Sequence, residues 1–519
     1  TVRSIVDNLR KAKADSRIRG VLLKPTGFDS PFWGKVQEIR DAVLDFRKSG
    51  KPIYAYLEYG GDREYYLATA ADKVYLMPSA PLDLTGVATY ELFLRGTLDK
   101  IGAVPDLHHI GDYKTATNTF TEKGYTPAHK EMDESLNRDL YDQIVRGIAD
   151  GRRQSDADVR RLFDEGPFLP EDALHAGLVD DVVYEDQVAD KLRGTGERRE
   201  IDADDYARVS LSSMGLNRGP RIAVIYAAGE IASGKDGYDP LNGPVIGSDT
   251  LIDYIRQARR DRSVRAIVLR IDSPGGSASA SDAIWRELMI TKNDKPDRPL
   301  VASMSDLAAS GGYYIAMPAQ VIVAQPSTLT GSIGILGGKI VTGGVYAKLG
   351  ANIDSTSVGR HAEIDSPVRP YNAEELKKLQ EQLQAFYDQF VEKVADSRHS
   401  TPEQIDALAQ GRVWTGRQAK QNHLVDELGG LDRAIAIAKQ RAKIAADSDV
   451  EIVVYPPKRS FYEVLTEQFT GAGDSAAVGA WLSANLSAGE VDALRTIRGP
   501  LSLFRRGELL ALMPFTYVR

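Results

Sequence analysis

Short apolar runs alternate along the chain with amphipathic stretches, a pattern that predicts strands separated by helices. Val21-Leu22-Leu23 and Ala266-Ile267-Val268-Leu269 have the length and character of strands buried on both faces. Pro52-Ile53-Tyr54-Ala55-Tyr56 and Pro299-Leu300-Val301-Ala302-Ser303-Met304 are the next such runs. Helical segments fall between them, from Lys35 to Lys48 and from Ser281 to Ile290, and the opening Thr1-Val2-Arg3-Ser4-Ile5-Val6-Asp7 also reads as helix. Leu376, Leu379, Leu383, Phe386, Phe390 and Val394 recur at helical spacing and predict one long helix from about Ala373 to Ser397. Strand–helix alternation of this kind implies an α/β fold with right-handed crossovers.

The same pattern occurs twice. Asp15-Ser-Arg-Ile-Arg-Gly-Val-Leu-Leu-Lys24 aligns with Asp261-Arg-Ser-Val-Arg-Ala-Ile-Val-Leu-Arg270. Tyr65-Tyr66-Leu67-Ala68 aligns with Tyr313-Tyr314-Ile315-Ala316, and Tyr141-Asp142-Gln143 with Tyr387-Asp388-Gln389. Ala173 and Leu178-Val179-Asp180 align with Ala419 and Leu424-Val425-Asp426. Blocks at so nearly constant an offset predict two homologous repeats. We expect a first repeat over 1–193, a polar connector over 194–220, a second repeat over 221–446 and a C-terminal extension over 447–519. The second repeat opens on a strand, Arg221 to Tyr226, whose counterpart in the first would lie before residue 1. With neither Met nor a leading strand at its start, the sequence reads as a piece of a longer chain.

Composition narrows the function mostly by exclusion. A chain of 519 residues is too long for a single core. A net charge of −8 gives no electrostatic footprint for nucleic acid. The absence of cysteine removes disulfides, thiolate metal sites and a cysteine nucleophile. No stretch reaches the ~20 consecutive apolar residues that span a bilayer.

The chemistry-bearing residues lie where strands end. Asp272-Ser273-Pro274-Gly275-Gly276-Ser277 joins a strand to a helix, and its paired glycines can turn backbone N–H groups toward developing negative charge. A tight turn without a ligand would look the same. Ser305-Asp306-Leu307-Ala308-Ala309-Ser310-Gly311-Gly312 places one hydroxyl among small residues at the start of a helix, either as an accessible nucleophile or as a mere packing turn. Comparing the repeats weighs these readings. Asp62 stands opposite Ser310, and Pro25-Thr26-Gly27 opposite the paired glycines, so one repeat is equipped for acyl chemistry and the other is not.

A serine nucleophile needs a base. The seven histidines, His108, His109, His129, His175, His361, His399 and His423, recur in no catalytic context, which leaves a Ser-His-Asp triad open but unsupported. Lys114, in Gly111-Asp112-Tyr113-Lys114, aligns with Ala362. The repeat with the serine lacks the lysine, and the repeat with the lysine lacks the serine. That reciprocity is the pattern of a site split across a domain interface, although a single lysine is by default a solvated surface charge.

Ser273-Pro-Gly-Gly-Ser277, Ala308-Ala-Ser-Gly-Gly-Tyr313, Pro326-Ser-Thr-Leu-Thr-Gly-Ser-Ile-Gly334 and Gly111-Asp-Tyr-Lys114 together resemble the bacterial signal peptide peptidase A (protease IV) family. Ala395 to Asp406 and Val413-Trp414-Thr415-Gly416 resemble its long, tandem-repeat form. The resemblance implies a Clp-protease/crotonase-like fold in each repeat. It also implies a serine endopeptidase that degrades cleaved signal peptides through an acyl-enzyme, with Ser310 as nucleophile, Lys114 as general base, and Ser332 as the hydroxyl that holds the lysine amine. Ser332 could equally be a turn residue. Gly276 and Gly311 are the candidate oxyanion donors, and no metal or organic cofactor is needed. The resemblance further implies a homotetramer anchored in the bacterial inner membrane, by a segment absent from this sequence, with its catalytic part on the periplasmic side. Two other classes share some of these features: a crotonase-type acyl-CoA enzyme, which would require neither Ser310 nor Lys114, and a catalytically inactive ring scaffold.

Overall fold

A computed structural model describes residues 1–27, 31–194, 199–239, 243–457, 508–514 and 517–518. In the first repeat, Val21–Leu23, Ile53–Leu57, Lys73–Leu76 and Asp181–Val182 form a four-stranded sheet in which every pair is parallel. In the second, Glu451–Tyr455, Arg221–Ala228, Val264–Ser273 and Leu300–Ala309 lie side by side, with Val321–Ala324 and Glu427–Leu428 continuing beyond, again all parallel. Helices cover both faces, which is why Ala223 to Ile225 and Val301 to Ala302 are wholly buried and these strands read as unbroken apolar runs.

The duplication is visible down to single hydrogen bonds. Tyr65 donates its hydroxyl to the Leu178 carbonyl at 2.7 Å, and Tyr313 donates to the Leu424 carbonyl at 2.9 Å. The Asp180 carboxylate accepts from the Val74 N–H and pairs with Arg152, just as Asp426 accepts from Ile322 and pairs with Arg398. The last block matched between the repeats, Leu-Val-Asp, is therefore the device that pins an edge strand and buries a tyrosine in each.

Three expectations are modified. The polar connector is not plain linker. Helix Ala203–Ala207 and the turn Leu211–Met214 dock on the opening helix Val2–Ala14, where the buried Lys11 amine donates to the Val209 carbonyl at 2.9 Å and lies over the Tyr206 ring. Tyr206 is buried in the first repeat's core, with Val209 and Met214 packed against it. The extension assigned to 447–519 begins inside the second repeat's sheet, because Glu451–Tyr455 pairs with the otherwise open edge of Arg221–Ala228. Of that extension, residues 458–507 lie outside the described residues. Finally, the strand expected to end near Met304 runs on to Ala309. Its lower half pairs with Val321–Ala324 and its upper half with Leu329–Gly331, so it delivers Ser310 at its very tip.

The two repeats are joined by a shared sheet and by buried polar contacts. Val104–Ile110 from the first repeat pairs antiparallel with Ile335–Val341 from the second along its full length. Arg270 meets Glu38 in the interior, Lys35 bridges Asp272 at 2.7 Å and Asp306 at 3.0 Å, and Gln37 accepts from Ser327. No helix among the described residues is long and apolar enough to cross a membrane.

Candidate active site

Ser310 caps the short helix Gly311–Ala316 at φ 54°, ψ −114°, a left-handed conformation unusual for a residue with a side chain. A strand ending in a sharp turn into a helix projects the hydroxyl forward, and the Ser310 N–H donating to the Gly331 carbonyl at 2.7 Å holds the turn. Ser332 sits next to that partner, also at positive φ, with its own N–H donating to the Arg412 carbonyl at 2.7 Å.

Lys114 arrives from the other repeat. The strand Val104–Ile110 carries it to the seam, and the turn after Gly111 aims it inward. Its Nζ lies 2.8 Å from Ser310 Oγ, 2.9 Å from the Ser332 carbonyl oxygen and 3.0 Å from Ser332 Oγ. Ser310, Lys114 and Ser332 are all 0% exposed. Desolvation holds the Lys114 amine well below the ordinary lysine range. A neutral amine has two hydrogens and one lone pair. Three oxygen neighbours then fit as two acceptors at Ser332 and one donor, the Ser310 hydroxyl, facing the lone pair.

The glycines stand beside this pair. Gly275 and Gly276 belong to a short strand, Gly275–Ser277, rather than to a simple turn, with φ of 105° and 148°. A Cβ on Gly275 would fall 2.8 Å from the Gly311 nitrogen, so side chains there would crowd the N–H that begins the serine helix. Of the histidines, His109 binds the Gly111 carbonyl through Nδ1, and His129 is buried among Phe93 and Tyr125 rings.

Sequence reasoning missed the clamp on the lysine turn. Tyr113 donates its N–H to the Gln410 carbonyl at 2.9 Å, and Gly411 donates to the Ile333 carbonyl at 2.8 Å. A Cβ on Gly411 would meet the Lys114 backbone at 2.4 Å, and one on Gly111 the Gln410 carbonyl carbon at 2.3 Å. Arg412 stacks on Tyr113 and Trp414 and pairs with Glu131 at 2.9 Å. The Ala409-Gln-Gly-Arg412 turn thus fixes the lysine from the serine side. Two glycines in close approach on opposite repeats were a signal that no single-repeat pattern could show.

Comparison with known proteins gives this arrangement a family context. A profile described as Peptidase family S49 matches residues 45–197 and 292–445, one segment in each repeat. The chain is 38% identical over 471 residues to "Serine protease SPPA, chloroplastic" of Arabidopsis thaliana, covering 89% of this chain and 68% of that protein. It is 35% identical over 480 residues to "Protease 4" of Salmonella typhi, covering 90% and 76%. With "Protease 4" of Haemophilus influenzae it shares 31% identity over 466 residues, covering 86% and 74%.

Proposed function

Since the chain belongs to peptidase family S49 and is a serine peptidase, we propose that Ser310 is its nucleophile and Lys114 its general base. The observation that carries the assignment is the buried Lys114 Nζ at 2.8 Å from Ser310 Oγ, with acceptors but no carboxylate beside it. The neutral amine takes the hydroxyl proton as Oγ attacks a peptide carbonyl carbon. The N–H groups of Gly276 and Gly311 receive the oxyanion, each contributing about 3 kcal/mol. The protonated amine, held by both Ser332 oxygens, then gives its proton to the leaving nitrogen. Water activated by the same lysine releases the acyl group. A crotonase-type acyl-CoA reading would leave the Ser310–Lys114 contact without a purpose, and so would an inactive scaffold.

The substrates we assign are apolar peptides in extended form, signal-peptide remnants among them, because the cleft is bounded by strands that can ladder with a peptide backbone. We place the enzyme at the periplasmic face of a bacterial inner membrane; cell fractionation with protease protection of the intact protein tests that placement.

We further assign it a closed homotetramer. Within one chain, Val104–Ile110 of the first repeat pairs with the second repeat. The equivalent segment of the second repeat, around 351–358, is coil and exposed throughout, with Ile353 at 50% and Val358 at 99%. A second copy offers the corresponding segment of its first repeat, around Val87 to Phe93, where Thr89–Tyr90 pairs on one side with Tyr517–Val518; pairing along its other side would continue head-to-tail from chain to chain and close into a ring.

The deciding test is turnover of an apolar fluorogenic peptide across pH. Wild-type kcat/KM is expected to rise with pH as Lys114 loses its proton. Ser310→Ala and Lys114→Ala are expected to lower kcat by roughly 10³-fold or more. Near-normal activity in Lys114→Ala would assign the base elsewhere.

A further inference from the structure

A short strand from the C-terminal part of the chain runs alongside the glycines next to Ser310. Leu510–Leu512 is inserted between the glycine strand Gly275–Ser277 and Ile335–Val341, antiparallel to both. Ala511 is opposite Gly276, Leu512 opposite Gly275 and Leu510 opposite Ser277. The Ala278 N–H donates to the Leu509 carbonyl at 3.0 Å, and the Met513 N–H to the Pro274 carbonyl at 2.9 Å. Bonded pairs recur at every second residue of an antiparallel ladder, which makes Gly276 and Ala511 the bonded pair between them. The Ala511 carbonyl oxygen thereby faces the candidate oxyanion donors. A Cβ on Gly275 would lie 2.0 Å from that oxygen, and one on Gly311 3.2 Å from it.

The side chains of this strand are enclosed on both faces. Leu510, Ala511, Leu512 and Met513 are all buried. Leu510 and Leu512 share an apolar cluster with Leu336 and with Ala116, two residues past the lysine. On the other face Met513 packs with Ala309, next to the nucleophile, and Ala511 joins the main core.

Building on the Ser310–Lys114 reading, we propose that residues 509–513 are a ligand of the chain's own peptide groove, held in the register of a substrate whose scissile bond is Ala511–Leu512, and that they compete there with other peptides. The preferred substrate then carries a small residue before the cut and apolar residues around it. Attack of Ser310 Oγ on the Ala511 carbonyl carbon would break the bond to the Leu512 nitrogen, which takes the proton relayed by Lys114. Water then leaves a carboxylate on Ala511. Because Met513 stays laddered to Pro274, the new amine is held in place for the reverse step, so the segment acts as an inhibitor rather than as a fast substrate.

The test uses the whole protein. Ala511→Arg cannot keep a guanidinium in this buried register, and its KM for an apolar fluorogenic peptide is expected to fall about tenfold or more, as when a groove free in one molecule in ten becomes free in all. The blocked peptide Glu-Leu-Leu-Ala-Leu-Met-Pro, added to that variant, should inhibit competitively and be cut only between Ala and Leu. If the fluorogenic peptide is hydrolysed in a Ser310-dependent way, yet KM is unchanged and the added peptide neither competes nor is cut there, the proposal is wrong while the peptidase stands. Turnover that survives in Ser310→Ala would instead remove the nucleophile assignment.

A separate observation lies at the start of the helix Pro127–Arg152. His129 and Asp133, one turn apart, are 1% and 4% exposed; among the described residues neither ring nitrogen of His129 has a hydrogen-bond partner, and the Asp133 carboxylate has only the Tyr125 hydroxyl beside it. With Glu91 they bring ligand atoms to within 4.8 Å of one another. We infer a divalent-cation site, and one imidazole with two carboxylates suits Zn²⁺. After dialysis against chelator, added Zn²⁺ should bind one per chain by elemental analysis and raise Tm by several degrees, with both effects lost in His129→Ala and Asp133→Asn. Absence of stoichiometric zinc in the wild type, or zinc retained by both variants, would overturn the assignment.

Discussion

A lysine amine withdrawn from water gives up its proton readily, because only the charged form loses hydration. Lys114 is such an amine, and its folded-state affinity for a proton is lower than in the unfolded chain. The unfolded state therefore binds more protons between the two pKa values, and folding gains stability as pH rises through that window. Lys114→Met, apolar and similar in length, removes this dependence. The Tm difference between variant and wild type should shift toward wild type as pH rises toward the ordinary lysine value, and calorimetry at several pH values checks it. Gly275→Ala tests the other side of the reaction. At φ 105°, with a Cβ crowding the Gly311 nitrogen, it should lower kcat by roughly 10²–10³-fold while Ser310 and Lys114 remain in place. At this scale the sequence carried Ser310 and Lys114 through a comparison of repeats: each is conspicuous because its twin position holds Asp62 or Ala362. The positive φ of Ser310 and Ser332 was not legible, since serine has no conformational signature of the kind glycine has.

Elements explain how two distant residues are held within hydrogen-bond reach. The lysine turn is gripped between Val104–Ile110 and the 409–412 turn, with Gly111 and Gly411 allowing backbones to touch. Gly411→Ala, at φ 79° and against the Lys114 backbone, should displace the amine and reduce kcat by about 10²-fold or more with little change in KM. Steady-state kinetics with circular dichroism as a folding control separates this from unfolding. Strands and helices were readable because parallel strands buried on both faces leave apolar runs and helices leave a 3.6-residue stripe. Gly275–Ser277 was not, because a strand of Gly-Gly-Ser has no apolar pattern and exists through its neighbours on either side. The docking of Ala203–Ala207 escaped for a similar reason, since its single tyrosine is invisible to any periodicity.

For the whole molecule, the proposed ring turns on the exposed 351–358 segment. Val358→Asp puts a charge into what would be a subunit seam and should shift the protein to smaller species in sedimentation velocity, leaving the Ser310–Lys114 pair of each chain intact. The two-repeat organisation was legible from conserved blocks alone, but the sheet shared between repeats was not, because pairing between distant strands leaves no local trace.

Lys114 and Ser310 are 196 residues apart in the chain. At ordinary synthesis rates that separation is roughly ten to forty seconds on the ribosome. During that interval the emerging polypeptide holds the proposed base without the serine it would activate, and Ser310, when it arrives, must still fold and meet Lys114 at the seam. Dividing a destructive reaction between two halves of a duplicated chain makes completion of folding the event that arms it.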